Sequence, residues 1–499
     1  MMGLTWYILG LLTTGSLIFL WKFSQRYAFK WHTWSGFGFG IVLILFSIAW
    51  GVGAVLEGVP RAGSMGILLF GLPGIILVTV TLRYSTNRLE KRQVSHIKEK
   101  VEVTKTPPIS LKTVQPTTSQ KSGWWSFLPY VAYVSLVIAF IFGIITGGED
   151  YESMIKAKYT DLVLEKIHDD PVVFQVGEKE NGQGEYILIQ EGQGYGGPFV
   201  FAIRIKDDAK IHEVFPLADK ETPAFIKKIK EANYRNQFIG RSIADNFIVG
   251  DDIDGVSGAT VTTMAATEAV RNGAHIAAVE YFKLEPSWGK TQWKFGLDEV
   301  LILIIFILAF IPQIHRTPYK YIYMAMSIGV VGFYLNAAVS IGSLSGLLMG
   351  YIPNADDHLI WWILVIGTIA TIILVGKNVY CYKICPFYGV QFFLNKISGN
   401  RFNPSPALLR QARPVANGLL WLALMLIFLS QLPSAGAFEP FAMMFSLDGV
   451  GIQWYILPLA IFGSFFMSSF WCRFFCPAGS AFSILLKARK KVVTLLASK

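Results

Sequence analysis

Side chains that bind metals are scarce in this sequence of 499 residues, which contains four cysteines and seven histidines. Four cysteines cannot hold the two clusters of a two-cluster ferredoxin, which needs about twice as many. No histidine lies near the centre of an apolar run, so we do not expect a haem held between two histidines of buried helices. His358 follows Asp356 and Asp357; it could accept a proton from a quinol, but a solvated loop histidine is the commoner case.

Apolar residues are abundant. They make up 53% of the chain, and the mean hydropathy of +0.45 is too high for a soluble enzyme of this size. Nine runs approach the roughly 20 apolar residues that a spanning helix needs: about 4–21, 35–51, 65–82, 127–147, 299–314, 321–341, 359–376, 415–432 and 452–470. No basic segment precedes the first run, so we expect a retained anchor rather than a cleaved signal peptide.

The net charge of +10 is concentrated in alternate loops. Basic residues follow the first, third and ninth runs, and they also lie between runs five and six and between runs seven and eight. Because basic loops stay in the cytoplasm, we expect the N-terminus and the polar block 149–290 outside a bacterial cytoplasmic membrane and the C-terminus inside. The charge therefore serves topology and contact with membrane lipid, and no nucleic-acid partner is expected.

Composition divides the chain into five parts. Residues 1–83 form a three-span unit, 84–123 are a polar stretch that we interpret as a flexible cytoplasmic linker, and 124–148 hold one span. The block 149–290 has strand patterns at 172–176, 185–190 and 198–206 and helical patterns at 220–232 and 260–282; residues 291–499 hold five spans. We predict a multi-pass α-helical membrane protein of about nine spans with an inserted extracytoplasmic α+β domain.

The most specific string, Asp254-Gly255-Val256-Ser257-Gly258-Ala259-Thr260, lies in the polar block. It is a turn that opens a helix-forming run, where Ser257 can cap and backbone amides favour an anion such as a phosphate ester. A capped surface helix without a ligand is the alternative. The string resembles the D-G-x-S-G-A-T signature of FMN-binding domains, in which a flavin transferase esterifies the last threonine with FMN.

That resemblance implies covalent FMN on Thr260. It also implies a cofactor site formed by neighbouring motif residues and by two upstream pieces, Gly194–Pro198 and Glu221–Pro223: Asp254, Ser257, Gly258, Ala259, Gly196, Gly197, Glu221 and Thr222.

All four cysteines occur in two copies of a C-x-x-x-C-P motif, Cys381/Cys385 after the seventh run and Cys472/Cys476 after the ninth. An i, i+4 pair on a helix presents two sulfurs on one face, so two pairs together could supply four thiolates to an iron–sulfur cluster or to zinc. Reduced thiols that serve only packing are an equal alternative, because the spacing differs from that of a ferredoxin loop. The charge-derived topology separates these cysteines from the flavin by about 30 Å of hydrocarbon.

Family resemblance covers nearly the whole chain. Residues 124–499, with the flavin motif and both cysteine motifs, resemble the C-type membrane flavoprotein encoded with reductive dehalogenases, which is related to the membrane regulator of nitrous oxide reductase. Residues 1–83 are similar to the small B-type anchor of reductive dehalogenases. This second similarity is carried by Trp50-Gly51, Glu57, 65–71 and 82–84. The two parts are usually separate chains, and their fusion would enforce one-to-one stoichiometry.

The resemblance implies a membrane electron-transfer subunit of organohalide respiration. Menaquinol from the quinone pool would reduce the covalent FMN, which would pass electrons to an extracytoplasmic reductive dehalogenase that carries a corrinoid and iron–sulfur clusters. That partner would dock near Trp50 and Glu57, although an ordinary interfacial acid is an equal alternative for Glu57. A flavoprotein for another external reductase, a subunit of an ion-pumping flavin complex, and a non-enzymatic sensor or assembly factor remain open.

Overall fold

The structure, a computed structural model, describes residues 10, 13–16, 18, 31–57, 59–81, 127–147, 150–180, 183–194, 198–219, 223–256, 259–286, 296–316, 318–353, 355, 358–399, 404–446 and 452–497. Most of the first predicted span and the whole linker 84–123 therefore lie outside the described residues. The chain forms two compact units. One comprises Met1–Ser135, Gln391–Pro404 and Leu457–Ser468; the other comprises Leu136–Val390, Ser405–Ile456 and Ser469–Lys499.

Two apolar helices of the first unit, α1 (Trp31–Leu56) and α2 (Arg61–Thr81), are joined by a short turn. Glycines let their backbones approach closely: a Cβ on Gly40 would lie 2.8 Å from the carbonyl oxygen of Gly74, and one on Gly63 would lie 2.9 Å from that of Gly51. Small residues at helix contacts are typical of pairs in membranes, where close van der Waals packing replaces the hydrophobic effect.

The polar block folds as an antiparallel meander of five strands in chain order, preceded by α3 (Leu128–Thr146) and α4 (Tyr151–Lys158). The strands are β1 (Leu164–Asp169), β2 (Val172–Glu180), β3 (Gln183–Gln193), β4 (Pro198–Ile205) and β5 (Ile211–Asp219). Ile155 of α4 is buried with residues of one sheet face. The other face packs against α6 (Thr260–Glu280), beside α5 (Pro223–Glu231).

A glycine sets how closely α6 approaches the sheet. A Cβ on Gly192 of β3 would lie 1.9 Å from the carbonyl oxygen of Ala265 on α6, so any larger residue would push the helix away. The alanine-rich inner face of α6 complements this contact, since Ala265, Ala266, Ala269 and Ala274 are all almost fully buried. The position of the helix start at Thr260 therefore follows from strand–helix packing.

Three strands and the helices α5 and α6 of this block were expected from sequence, but α4, β1 and β5 were not. β1 exposes almost every residue and lacks apolar alternation. β5 contains Pro216, paired with Phe201 of β4 next to a register shift. Both are edge strands, where polar residues and proline are tolerated because one side of the backbone is unpaired.

Helices dominate the remainder of the described chain. They are α7 (Leu297–Leu308), α8 (Tyr319–Ser327, continued by a π-helical turn Ile328–Tyr334), α9 (Ile341–Leu348), α10 (Leu359–Leu374), α11 (Pro386–Ser398), α12 (Pro406–Ser430), α13 (Phe441–Ser446), α14 (Gln453–Phe466), α15 (Phe470–Phe474) and α16 (Pro477–Ala497).

The cysteine motifs belong to a structural duplication. In each copy a long helix (α8 or α12) ends at a residue with positive φ, Asn336 at 48° and Gln431 at 53°. An extended segment and a short helix (α9 or α13) follow, then a second apolar helix (α10 or α14), and then the cysteine motif leads into α11 or α16. The predicted pairing of two equivalent motifs thus has a structural counterpart.

Four helical stretches among the described residues are long and apolar enough to cross a membrane: Thr33–Val55, Arg61–Thr81, Leu128–Lys158 and Pro406–Ser430. α10 and α14 are apolar but shorter. The predicted spans 299–314 and 321–341 are shorter in the structure, because α7 has 12 residues, about 18 Å long, and Asn336 ends the helix that begins with α8. The structure therefore supports a membrane protein with an inserted α+β domain, while the count of nine spans stays a prediction.

Candidate functional site

The segment that precedes Thr260 is held by the side chain of Gln237. Its Oε1 accepts the Asp254 N–H at 2.8 Å, and its Nε2 donates to the Asp254 carbonyl at 3.2 Å. The Asp254 side chain is exposed. The helix begins at Thr260 with Ala259 as its N-cap and without a side-chain cap from that residue. Ser257, which is expected to cap the helix, lies outside the described residues. First-turn amides at such a start lack intrahelical acceptors and suit an anion.

A half-buried carboxylate organises the loop before this motif. Asp252 accepts the backbone N–H groups of Phe247 at 3.0 Å and Ile248 at 2.5 Å, and Arg241 donates to it at 3.2 Å. These contacts fix residues 241–252 relative to Gln237 and hence to the motif. Sequence reasoning missed Gln237 and Asp252; the acidic pair Asp251-Asp252 next to the motif was the one available signal.

The threonines that follow Thr260 are inside the domain. Thr262, Thr263 and Thr267 are buried, and Tyr234 contacts the Thr267 hydroxyl at 2.6 Å. Burial raises the pKa of the Tyr234 phenol to about 12, so it remains protonated and available for this hydrogen bond. These buried threonines cannot be reached by a modifying enzyme in the folded domain.

Several residues assigned to the flavin site lie outside the described residues: Ser257, Gly258, Gly196, Gly197, Glu221 and Thr222. Their roles, and the role of the Thr260 hydroxyl, stay predictions. The structure places the backbone of Thr260 and the N-cap Ala259 at the start of α6, as the motif requires.

All four cysteines line one cavity. They are free thiols; Cys385 and Cys476 are buried, whereas Cys381 and Cys472 are half-buried. Within the described chain, no preassembled group of three or more metal-binding side chains is found, but four thiols that face one space are the donor set of a [4Fe–4S] cluster. The donors therefore fit such a cluster with local adjustment of their side chains.

The proline of each motif explains how the sulfurs converge. Cys385 and Cys476 precede Pro386 and Pro477, the first residues of α11 and α16, a position that tolerates proline because its N–H would be unpaired anyway. Each second cysteine therefore lies at a helix start, and the Gly479 N–H donates to Cys476 Sγ at 3.2 Å. The expected helical i, i+4 face is only half correct, since the second cysteine of each pair lies outside the helix.

The extended segments after α8 and α12 come close to the cysteines. The Tyr380 hydroxyl, next to Cys381, accepts the Val339 N–H at 2.7 Å, and Val339 lines the cysteine cavity. Phe441 lines both this cavity and a second one, which Phe225 of α5 also lines. The inserted domain and the cysteines thus border neighbouring cavities, whereas the topology predicted from charge places a whole bilayer thickness between the cysteines and the flavin.

His358 also differs from expectation. It is 3% exposed rather than solvated, and its Nε2 lies 4.0 Å from Oε2 of Glu268, which is itself buried on α6. Together with Phe225, this buried pair places the inserted domain against α10 and the extended segments of the same compact unit.

In the anchor-like unit, the two residues expected to dock a partner lie on or just after α1. Trp50 is 48% exposed, and its Nε1 donates to the Ala62 carbonyl at 3.1 Å. Its ring lies near Phe46 and Phe70, with centroid distances of 6.0 and 6.5 Å. Glu57 is exposed in the turn that follows. Trp50 thus forms part of an exposed aromatic surface, fixed by its hydrogen bond, with the acidic Glu57 near one end. That this surface docks a partner stays a prediction.

Three protein families match separate parts of the chain. Residues 4–89 match the chloroethene reductive dehalogenase membrane anchor protein family, and residues 194–275 match the FMN-binding domain. Residues 357–405 and 451–494 match a 4Fe-4S binding domain, and these two ranges hold all four cysteines.

Two curated proteins are similar to the chain. Regulatory protein NosR of Pseudomonas aeruginosa is 25% identical over 227 residues, which cover 40% of this chain and 31% of that protein. Regulatory protein NosR of Stutzerimonas stutzeri is 21% identical over 217 residues, or 40% of this chain and 30% of that protein. The chain therefore spans about a third of the length of the curated relatives it matches.

The fold and these matches define a membrane protein with an inserted FMN-binding domain and a 4Fe-4S binding domain. More particularly, the chain fuses a reductive dehalogenase membrane-anchor domain to an FMN-binding membrane subunit similar to NosR, as the motifs predicted. The match to an iron–sulfur family favours a cluster over thiols that serve only packing. Together these domains indicate a role in membrane electron transfer.

If the four cysteines hold one cluster, removing a buried sulfur should remove the iron. We expect Cys385→Ser and Cys476→Ser, made in the full chain and purified anaerobically, each to lose most iron and acid-labile sulfide. Ser483→Ala is the matched control, because Ser483 lines the same cavity without a sulfur. Iron retained equally by all three variants would show that these thiols are not ligands.

Proposed function

We propose that this protein transfers electrons from menaquinol, through FMN esterified to Thr260 and a cluster held by Cys381, Cys385, Cys472 and Cys476, to a reductive dehalogenase on the outer face of a bacterial cytoplasmic membrane. Its anchor domain holds that catalytic subunit through the surface around Trp50 and Glu57. Carbon–halogen cleavage takes place in the partner, which carries the corrinoid.

One observation carries the proposal: the cysteine cavity and the cavity below the inserted domain share Phe441. Electron transfer between a flavin domain and a metal site requires closeness, and a full bilayer between them would have prevented it. The chain instead positions both within one compact unit.

The chemistry supplied by the two groups is complementary. When bound, FMN exchanges electrons in pairs or singly, whereas an iron–sulfur cluster exchanges them singly. The protein contributes the anchoring hydroxyl of Thr260 and the helix-start amides of α6. At the other site, the backbone N–H groups that follow Cys385 and Cys476 stabilise anionic sulfur.

A regulatory role is the second candidate. It is favoured by the similarity to NosR, a regulatory protein in both organisms, and a flavin that senses the redox state of the quinone pool would suit it. The two functions differ in whether a catalytic dehalogenase stays attached and receives electrons.

Covalent attachment at Thr260 is tested by a pair of isosteric substitutions. We expect Thr260→Val to abolish the flavin fluorescence that remains with the denatured full-length protein on a gel, because no hydroxyl remains to be esterified. Thr262→Val is the control, since Thr262 lies two residues further on and is buried. A flavin band that persists in Thr260→Val would place the attachment elsewhere.

The partner assignment is tested by purification in mild detergent from cells that respire organohalides. We expect a corrinoid protein to remain with the chain, and its recovery to fall about tenfold for Trp50→Ala, a loss typical of a central aromatic contact. Phe39→Ala is the control, because Phe39 is also an exposed aromatic residue on α1. If the chain is recovered in a complex with other proteins but without a corrinoid protein, the regulatory role is favoured.

A further inference from the structure

A second cavity adjoins the cysteine cavity, with which it shares Phe441, and is lined on another side by Phe225 of α5. Six residues define its character: Phe225, Asn336, Ser340, Glu439, Phe441 and Gln453. Its empty space, together with the open solvent before its mouth, is about 370 Å³. It combines two phenyl rings with several groups that form hydrogen bonds.

Glu439 leaves a hydrogen-bonding atom unused in this cavity. The residue is 3% exposed, and its Oε1 accepts the Ile341 N–H at 2.8 Å at the start of α9. Its Oε2 is buried and has no hydrogen-bond partner among the described residues. A buried carboxylate oxygen without a partner is destabilising, so its presence indicates a ligand that meets it.

Asn336 provides a second unmet requirement. Both its Nδ2 and its Oδ1 are buried without a hydrogen-bond partner in the described parts of the chain. The residue has a φ of 48°, a conformation that asparagine tolerates better than most residues. An amide offers both a donor and an acceptor, so it can pair with either a carbonyl or a hydroxyl group.

These groups restrict the ligand. It must have a flat ring that packs against phenyl rings and oxygen atoms that pair with an amide and a carboxylate. It must also reach a cavity that shares Phe441 with the cysteine cavity. A sugar or a nucleotide does not satisfy the apolar requirement, whereas a lipid-soluble quinone satisfies all of these conditions.

We propose that this cavity binds the ring of a quinone or quinol, with Asn336 and Glu439 as its hydrogen-bonding partners and Phe441 against its face. The site deepens the proposed function, on which it rests for the chemical class of the ligand. The short helices α9 and α13 both border this site, because Phe441 begins α13, and Glu439, which precedes it, accepts the Ile341 N–H at the start of α9.

Binding of a fluorescent alkyl-hydroxyquinoline N-oxide, a ring analogue of quinol, to the full-length protein in nanodiscs tests the site through fluorescence quenching. We expect Glu439→Gln and Asn336→Gly each to weaken binding about tenfold, the effect of losing one buried hydrogen bond to the ligand. Glu439→Gln retains an acceptor for the Ile341 N–H, and glycine retains the positive φ of position 336, so both variants should fold.

Two matched controls separate a ligand contact from a general effect. Gln431→Gly changes the equivalent helix end of the other repeat, which also has positive φ, and Glu268→Gln alters another buried carboxylate. Both should bind the probe as the unaltered protein does. Equal affinity in all four variants would overturn the site. Probe binding that occurs only in the flavin-free Thr260→Val protein would also overturn it, because the flavin ring would then occupy this cavity in the unaltered protein.

The same samples distinguish this inference from the function on which it rests. If the unaltered protein binds the probe at this cavity but menaquinol does not reduce its flavin, the site stands and the proposed electron donor is wrong. If menaquinol reduces the flavin equally fast in Glu439→Gln and Asn336→Gly, the function stands and the location of the site is wrong.

Discussion

Buried backbone without regular secondary structure must find hydrogen-bond partners, and this requirement governs the cysteine-containing half of the protein. Among apolar helices an unpaired N–H or C=O group is costly. Side chains meet the need here: Tyr380 accepts the Val339 N–H, Glu439 accepts the Ile341 N–H, and Gln453 donates to the Ala437 carbonyl. These three bonds hold the segments after α8 and α12 among the helices, where loops exposed to water would otherwise be expected.

The placement of those segments explains how one chain brings the cysteine cavity and the inserted domain together. They carry Val339 and Phe441 to the cysteines and Asn336 and Glu439 to the cavity below α5. The inserted domain meets the same region through Phe225 and through the buried pair of Glu268 and His358. Duplication of the helical unit supplies two equivalent cysteine motifs, and the proline after each second cysteine starts the helix whose amides face the sulfur.

Local signals predicted much of this structure. Apolar runs predicted the long helices α1, α2, α3, α10, α12 and α14, and the D-G-x-S-G-A-T string predicted the start of α6 at Thr260, because turn chemistry and helix propensity are properties of short segments. The closeness of the cysteines to the inserted domain was not predictable in this way. Charge patterns predicted the side of the membrane on which each loop lies, but they carried no information on loops that fold back between the helices. Two of the hydrogen bonds that hold these loops join residues about 40 and 100 positions apart, so no local window contains them. Gln237 was missed for a similar reason, because it bonds Asp254 at a distance of 17 positions. Asp252 bonds residues only 4 to 11 positions away, but those bonds depend on a loop conformation that no motif predicted.

The FMN-binding domain contacts the segments that follow α8 and α12, next to the cysteines. Photo-crosslinking tests this contact directly in the intact protein, with a benzophenone derivative of phenylalanine in place of Phe225 and peptide mapping after illumination in the membrane. The account predicts adducts with residues 336–340 and 437–442, which line the same cavity, and far fewer when the probe replaces the exposed Lys227 on α5. Adducts confined to the inserted domain, or equal patterns from the two positions, would contradict it.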